Sequence, residues 1–195
     1  MLQTFKPAII LFALLTVLTG VVYPLVVTGI AQVAFPARAD GSLIQDNGRA
    51  VGSELIGQYF TDPKYFRGRP SATSGYPDNT AASGGSNLGP TNPALADAVK
   101  ERAAALIAAD PGNPLPIPVD LLTASGSGID PHISPAAAIY QAPRIARLRG
   151  LPEERVRGII DEHTEKRQFG FLGEERANVL KLNVALGALE SRREK

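Results

Sequence analysis

Ser125, Ser127, Asp130 and His132 lie close together in the chain and carry the residue types of a hydrolytic set: a hydroxyl nucleophile, a base and an orienting carboxylate. Neither serine stands in a Gly-x-Ser-x-Gly elbow, so a triad here requires the parts to meet in space. A second set, Ser83-Gly84-Gly85-Ser86-Asn87, is glycine-rich enough to bend its amides around an anion. No strand precedes it, no helix opens at it, and no Gly-Lys pair occurs in the chain, so a phosphate loop of the usual kind is excluded. Metal chemistry has only His132 and His163 to draw on, and neither belongs to the paired-histidine helix face of a zinc hydrolase; structural hydrogen bonding is the expected role of both. The acids of the last two helices each have a base three or four residues away, the pattern of a solvated face.

Composition narrows the field further. Cysteine is absent, which removes disulfides, thiol catalysis and cysteine metal sites. Lys and Arg number 20 against 19 Asp and Glu, a balance that excludes nucleic acid as a partner. Acids outnumber bases before Pro143 and bases outnumber acids after it, which reads as two solvated faces. With 19 Gly and 16 Pro, the chain should be rich in turns and irregular connections.

The elements that must position these residues begin with a run from Pro7 to Ala37 that holds no formal charge. A bilayer core takes roughly 20 apolar residues as helix, and a signal-peptide core takes about 7 to 15. Ala37-Arg38-Ala39 has the small-x-small form of a cleavage site, but the length of the run favours retention as an anchor. Lys6 before the span favours a cytoplasmic N-terminus and an extracytoplasmic domain. Ala13, Thr16 and Gly20 share a helix face suited to close approach of another helix. Pro24 should kink the helix, because its ring crowds the carbonyl of Gly20. Gln32 should meet interfacial water. The chain therefore divides into 1–37, a short N-terminus and transmembrane helix, and 38–195, a single domain.

Within that domain, Ser42–Gln45 and Ala50–Ile56 read as a hairpin around Asp46-Asn47-Gly48. The rings of Tyr59, Phe60, Tyr65 and Phe66 should pack into the core, and Arg67–Pro93 should be long and irregular. Asn92-Pro93 opens a helix with Leu95, Val99, Ala103, Leu106 and Ile107 as its stripe, stopped by Asp110-Pro111-Gly112. Val119–Thr123 reads as a strand. Ser134-Pro135 opens a second helix that runs to Gly150 past Pro143, and Leu151-Pro152 opens a third carrying Val156, Ile159 and Ile160 inward. Phe169–Gly173 is a turn, and Glu174–Leu189 a final helix burying Val179, Leu182, Leu186 and Leu189, with a frayed tail from Glu190. Few strands, several capped helices and long Gly/Pro-rich loops predict an α+β domain.

Six segments in order carry a resemblance to a known family: Thr19–Leu25, which contains Tyr23 and Pro24, Gly52–Gln58, Tyr65–Ala72, Ser83–Pro93, Thr123–Pro135, and His163–Arg167 with Phe171–Arg176. Together they resemble the C subunit of bacterial Kdp-type potassium-transporting ATPases from the anchor almost to the last helix. The resemblance implies a non-catalytic, single-span subunit of the inner membrane, with its domain in the periplasm. Its partners would be a potassium-translocating subunit, an ATP-hydrolysing subunit and a small single-span subunit, as well as the lipid bilayer. It also implies that ATP is used by the complex while no cofactor is held by this chain, and that the subunit steadies assembly and raises the ATP affinity of the hydrolysing chain. The implied partner-helix interface comprises Ala13, Thr16, Gly20, Tyr23 and Pro24. The implied docking loops comprise Ser83, Gly84, Gly85, Ser86 and Asn87 with Ser125, Gly126, Ser127, Gly128, Asp130 and His132. Ser86 stands where an ATP-transporter signature has glutamine, so a nucleotide effect is expected to pass through the membrane partners. Glu175 replaces an expected proline at the start of the last helix.

Overall fold

The computed structural model describes residues 2–46 and 48–193, with the side chains of residues 2–4 and 190–193 outside that description. The chain separates into two compact units, residues 1–43 and 44–195.

The first unit is helical: α1 (Leu2–Val17), a π-helical turn (Leu18–Val22), α2 (Tyr23–Ala34) and a short α3 (Pro36–Ala39). Phe5–Ala34 is 30 residues long, with an 18-residue stretch of mean hydropathy 2.5, long and apolar enough to cross a membrane. At 1.5 Å per residue it measures about 45 Å, which exceeds a hydrocarbon core of about 30 Å. The expected disturbance at Pro24 takes the form of the π turn, in which the Tyr23 N–H donates to Leu18 O. A widened turn lies where the proline ring would otherwise crowd the Gly20 carbonyl. Gln32 is exposed and donates through Nε2 to Asp40 Oδ1 at 3.1 Å.

From Leu43, the last residue of the first unit, the chain enters the ladder of β1 (Leu43–Asp46) and β2 (Arg49–Ser53), as the hairpin pattern predicts; Asn47 of its turn lies outside the described residues. The centre of the domain is a three-stranded antiparallel sheet in the order β3 (His132–Ile133), β5 (Arg176–Asn178), β4 (Thr164–Glu165). Its register pairs Ile133 with Ala177, and Ala177 with Thr164. Around it stand α5 (Pro135–Arg149), α6 (Glu153–Glu162) and α7 (Val179–Arg193). Ser134 Oγ caps α5 by accepting from the Ala137 N–H at 3.0 Å, and Gly150 ends it in the left-handed conformation at φ 59°. Ala138, Ala142 and Ile145 of α5, Val156 and Ile160 of α6, and Leu182 and Leu186 of α7 fill the core. Each large aliphatic chain fully buried there contributes about 1.5–3 kcal/mol.

Several expectations are corrected. Val119–Leu121 is a 3-10 turn, not a strand: Pro118 is extended, and the chain then folds back to bury Leu121. The last helix starts at Val179, because Arg176–Asn178 is drawn into the sheet as the middle strand, and Glu175 therefore precedes a strand. The backbone expected to fray from Glu190 continues α7 to Arg193; Glu194 and Lys195 lie outside the described residues. In α4 (Pro93–Ala109), capped by Asn92 as expected, Ile107 is 57% exposed, while Leu95, Val99, Ala103 and Leu106 are half-buried. Tyr59 is exposed, whereas Phe66 is fully buried and Phe60 packs on the core with its ring 5.7 Å from that of Tyr65.

The long irregular segment is held by buried amide side chains. Asn183 Oδ1 accepts from the Phe66 N–H at 2.8 Å and its Nδ2 donates to Phe66 O at 3.0 Å. Gln141 treats the next residue the same way, accepting from the Arg67 N–H at 2.9 Å and donating to Arg67 O at 3.1 Å. Asn178 Nδ2 donates to Glu54 O at 2.7 Å. These amides replace the partners that a strand ladder would have supplied to a buried backbone.

Candidate docking loops and their support

The two glycine-rich loops meet. Gly84 N–H and Ser83 Oγ both donate to Ser127 O, at 2.8 and 2.9 Å. A Cβ on Gly85 would lie 3.0 Å from Gly126 O, so the two backbones pass at a distance that glycine permits. Gly128 is tighter: at φ +69° its Cβ would fall 2.5 Å from Thr73 Cγ2 and 2.6 Å from Gly84 O. Beneath the contact, Ser125 is buried and its Oγ accepts from the Gly128 N–H at 2.7 Å. Ser86, Asn87, Gly126 and Ser127 remain exposed and form the outer edge of the paired loops.

Asp130 and His132 close one end. His132 N–H donates to Asp130 Oδ1 at 3.0 Å and its Nδ1 lies 3.7 Å from the same oxygen. Arg69 Nη1 stands 3.4 Å from Asp130 Oδ2, and Arg69 Nη2 reaches Ala124 O at 3.5 Å. Burial raises the Asp130 carboxyl, but the hydrogen bonds from His132 and the charge of Arg69 outweigh it and hold the group below the ordinary carboxylate value. Asp78, behind the loops at φ 57°, has its pKa raised by burial. On α5, burial with Arg67 nearby lowers Arg144 to about 10, which leaves it charged at neutral pH.

The arrangement joins the two candidate docking loops, but among the described residues it does not assemble a hydrolytic set from them. Ser125 Oγ and Ser127 Oγ accept from the backbone amides of Gly128 and Ile129, and among the described residues neither bonds His132. His163 Nδ1 bonds Ile159 O at 2.9 Å, and no group of three metal-ligating side chains is found among the described residues. Sequence reasoning missed Ser71, whose Oγ donates to Gly128 O at 2.6 Å and accepts from the Asp78 N–H at 2.9 Å, and it missed Arg69. Both lie in the Tyr65–Ala72 motif, but no spacing rule ties that motif to the loop at Ser125–His132, more than fifty residues further on.

On the helix, Gly20 has no atom within 4 Å of an added Cβ, so that position is open. Thr16 Oγ1 donates to Phe12 O at 2.8 Å, which commits its proton to its own helix and leaves oxygen lone pairs to accept. The extra residue in the π turn offsets the face of Ala13, Thr16 and Gly20 by one position where it meets Tyr23 and Pro24.

These features define a class: a helix able to span a bilayer, and a mixed helix-and-sheet domain whose two glycine-rich loops are hydrogen-bonded to one another. The family model described as K+-transporting ATPase, c chain, matches residues 5–188. The potassium-transporting ATPase KdpC subunit of Polaromonas naphthalenivorans is 65% identical over 185 residues, covering 95% of this chain and 94% of the relative. Those of Variovorax paradoxus, 63% identical over 183 residues (94% and 95% of the two chains), and Methylococcus capsulatus, 60% over 189 (97% and 100%), are similar throughout. The chain belongs to the KdpC family, the c chains of the potassium-transporting ATPase.

Proposed function

We propose that the chain is the accessory, non-catalytic subunit of an ATP-driven potassium uptake pump, and that it stabilises assembly of the complex. Membership of the c-chain family over residues 5–188, on a chain with one apolar helix able to span the membrane, carries this reading. The N-terminus lies in the cytoplasm and the domain outside the inner membrane. Ala13, Thr16, Gly20, Tyr23 and Pro24 pack on the potassium-translocating, ATP-hydrolysing and small single-span subunits, while the paired loops, from Ser83 to Asn87 and from Ser125 to His132, dock the domain on their outer face. ATP is bound and hydrolysed on a partner chain, and any rise in its affinity there is relayed through the membrane contacts.

The test is copurification of the large subunits on the tagged chain, comparing wild type with Gly20→Leu. Because the space beside Gly20 is open within this chain, leucine leaves the free helix unstrained and reports on a partner. A loss of about 1.4 kcal/mol of packing lowers the association constant tenfold. Unchanged yield and activity in detergent would remove the helix from the interface. Failure of the wild-type chain to retain any large membrane partner would remove the pump reading itself.

A further inference from the structure

A cavity of about 370 Å³ opens in the domain between the Ile56–Ser71 stretch, the second half of α4 and the start of α7. Ile56, Phe60, Leu106, Leu121, Val179 and Leu180 give it apolar walls. Its size falls in the range of small-molecule sites, which combine such walls with a few convergent polar groups.

The charges around it do not cancel. Arg67, Arg69 and Arg102 line the cavity against Asp78 and Asp130. Asp130 is already engaged by Arg69 and His132. The Arg67 guanidinium donates to Thr61 O at 3.0 Å and that of Arg102 to Leu122 O at 2.7 Å; among the described residues neither has a carboxylate within ion-pair distance. Gln141 holds the Arg67 backbone in place, so that cation is presented from a fixed point. Among the described residues Asp78 has no cation within ion-pair distance, and its burial favours the neutral acid. Guanidinium groups beside an apolar wall are matched by an anion, since Arg forks complement carboxylate and phosphate oxygens and desolvation strengthens the pairing. The α4 wall points the same way: this helix has no fully buried residue, so an occupant beside Arg102, Ala105 and Leu106 supplies contact that the helix lacks.

We propose that this cavity binds an amphipathic anion, a single carboxylate or phosphate head on a short apolar body, with the head at Arg67 and Arg102 and the body against Leu106, Leu121 and Leu180. Such a molecule can be a soluble organic acid or the head and upper chain of an anionic lipid. The proposal stands apart from the pump reading, and its test needs no partner subunit.

Full-length chain in phosphatidylcholine nanodiscs is titrated with hexanoate, with hexyl phosphate and with neutral hexanol, and binding is read by calorimetry and by hydrogen exchange of the α4 amides. Saturable one-to-one binding of either anion, at least tenfold tighter than hexanol and with slowed exchange in α4, is expected. Arg102→Gln should weaken it tenfold or more, and Ala105→Trp, at an exposed position of the wall, should abolish it by filling the space. An unchanged melting midpoint in each variant without ligand separates loss of the site from loss of the fold. Repeating the titration in phosphatidylglycerol nanodiscs distinguishes the source: tenfold competition points to the bilayer lipid, and unchanged affinity to a soluble acid, each with the cavity occupied. Equal binding of hexanol, absence of saturation by both anions, or full affinity in both variants would overturn the proposal.

Discussion

Replacing Gly128 with alanine tests whether the two glycine-rich loops form one unit. Two costs follow from the geometry. The residue sits at φ +69°, where a side chain costs roughly 1–2 kcal/mol. The new Cβ would also lie 2.6 Å from Gly84 O and 2.5 Å from Thr73 Cγ2, well inside the usual carbon contact of about 3.5–4.0 Å. The loop from Ser83 must then retreat by about 1 Å, which loosens the two hydrogen bonds into Ser127 O, each contributing about 0.5–1.5 kcal/mol. We expect a loss of roughly 2–5 kcal/mol local to the loop junction. Hydrogen exchange of the Gly84 and Gly128 amides in the full-length chain reads this directly, since about 2 kcal/mol accelerates exchange by roughly 30-fold where opening is local. Gly126→Ala is the control: an added Cβ there meets nothing within 4 Å, so it should change exchange little. Wild-type protection in Gly128→Ala, or equal effects from the two glycines, would refute the reasoning. If the paired loops dock the domain, Gly128→Ala should also lower recovery of the complex while Gly126→Ala does not.

Other outcomes follow from single side chains. Asn183→Leu strips the Phe66 N–H and carbonyl of their partners inside the core, and at about 1–3 kcal/mol for each orphaned group it should lower the denaturant midpoint by the equivalent of roughly 2–6 kcal/mol. An effect below 1 kcal/mol would mean that the segment is held by other contacts. For Asp78, a pKa raised by burial means the folded state binds the proton more tightly than the unfolded chain, so its favourable contribution exists at low pH and is lost as pH rises through the folded value. Asp78→Asn should therefore raise the thermal midpoint at pH 7 by a few degrees at most, with the gain vanishing below about pH 4; the φ of 57° suits asparagine. A gain that persists unchanged in acid would show that charge is not its cause. Because the chain has no cysteine and Lys100, outside both docking loops, is exposed, Lys100→Cys gives a unique thiol that a membrane-impermeant maleimide should label in cells with a permeabilised outer membrane and intact inner membrane. Labelling only after lysis would reverse the proposed orientation.

How much was legible before folding varied by type of feature. The apolar run, the Asn92 and Ser134 caps and the Gly150 stop were read correctly because each depends on neighbours within a turn or two. The hairpin was visible for the same reason. The central sheet was not: β3 and β4 have two residues each and β5 three, too short for any alternation to register. Arg176–Asn178 therefore read as helix, although pairing on both edges makes it the middle strand. The two glycine-rich loops were located from their glycines, but Arg69 and Ser71, which brace the second of them, lie more than fifty residues before it with no local mark of that role.

Local chemistry in the linear chain was enough to establish an apolar helix of membrane-spanning length, a balanced and cysteine-free domain, the positions of the capped helices and the glycines of two loops. Those properties need only periodicity, composition and backbone freedom. Three things arose from contacts between distant residues: the interlock of Gly84 and Gly128, the buried amides of Gln141, Asn178 and Asn183 that order an irregular backbone, and the gathering of Arg67, Arg69 and Arg102 around one cavity. Hydrogen bonds and ion pairs act only over a few ångströms, so which polar groups satisfy one another depends on where the fold brings them, and spacing along the chain carries no record of it.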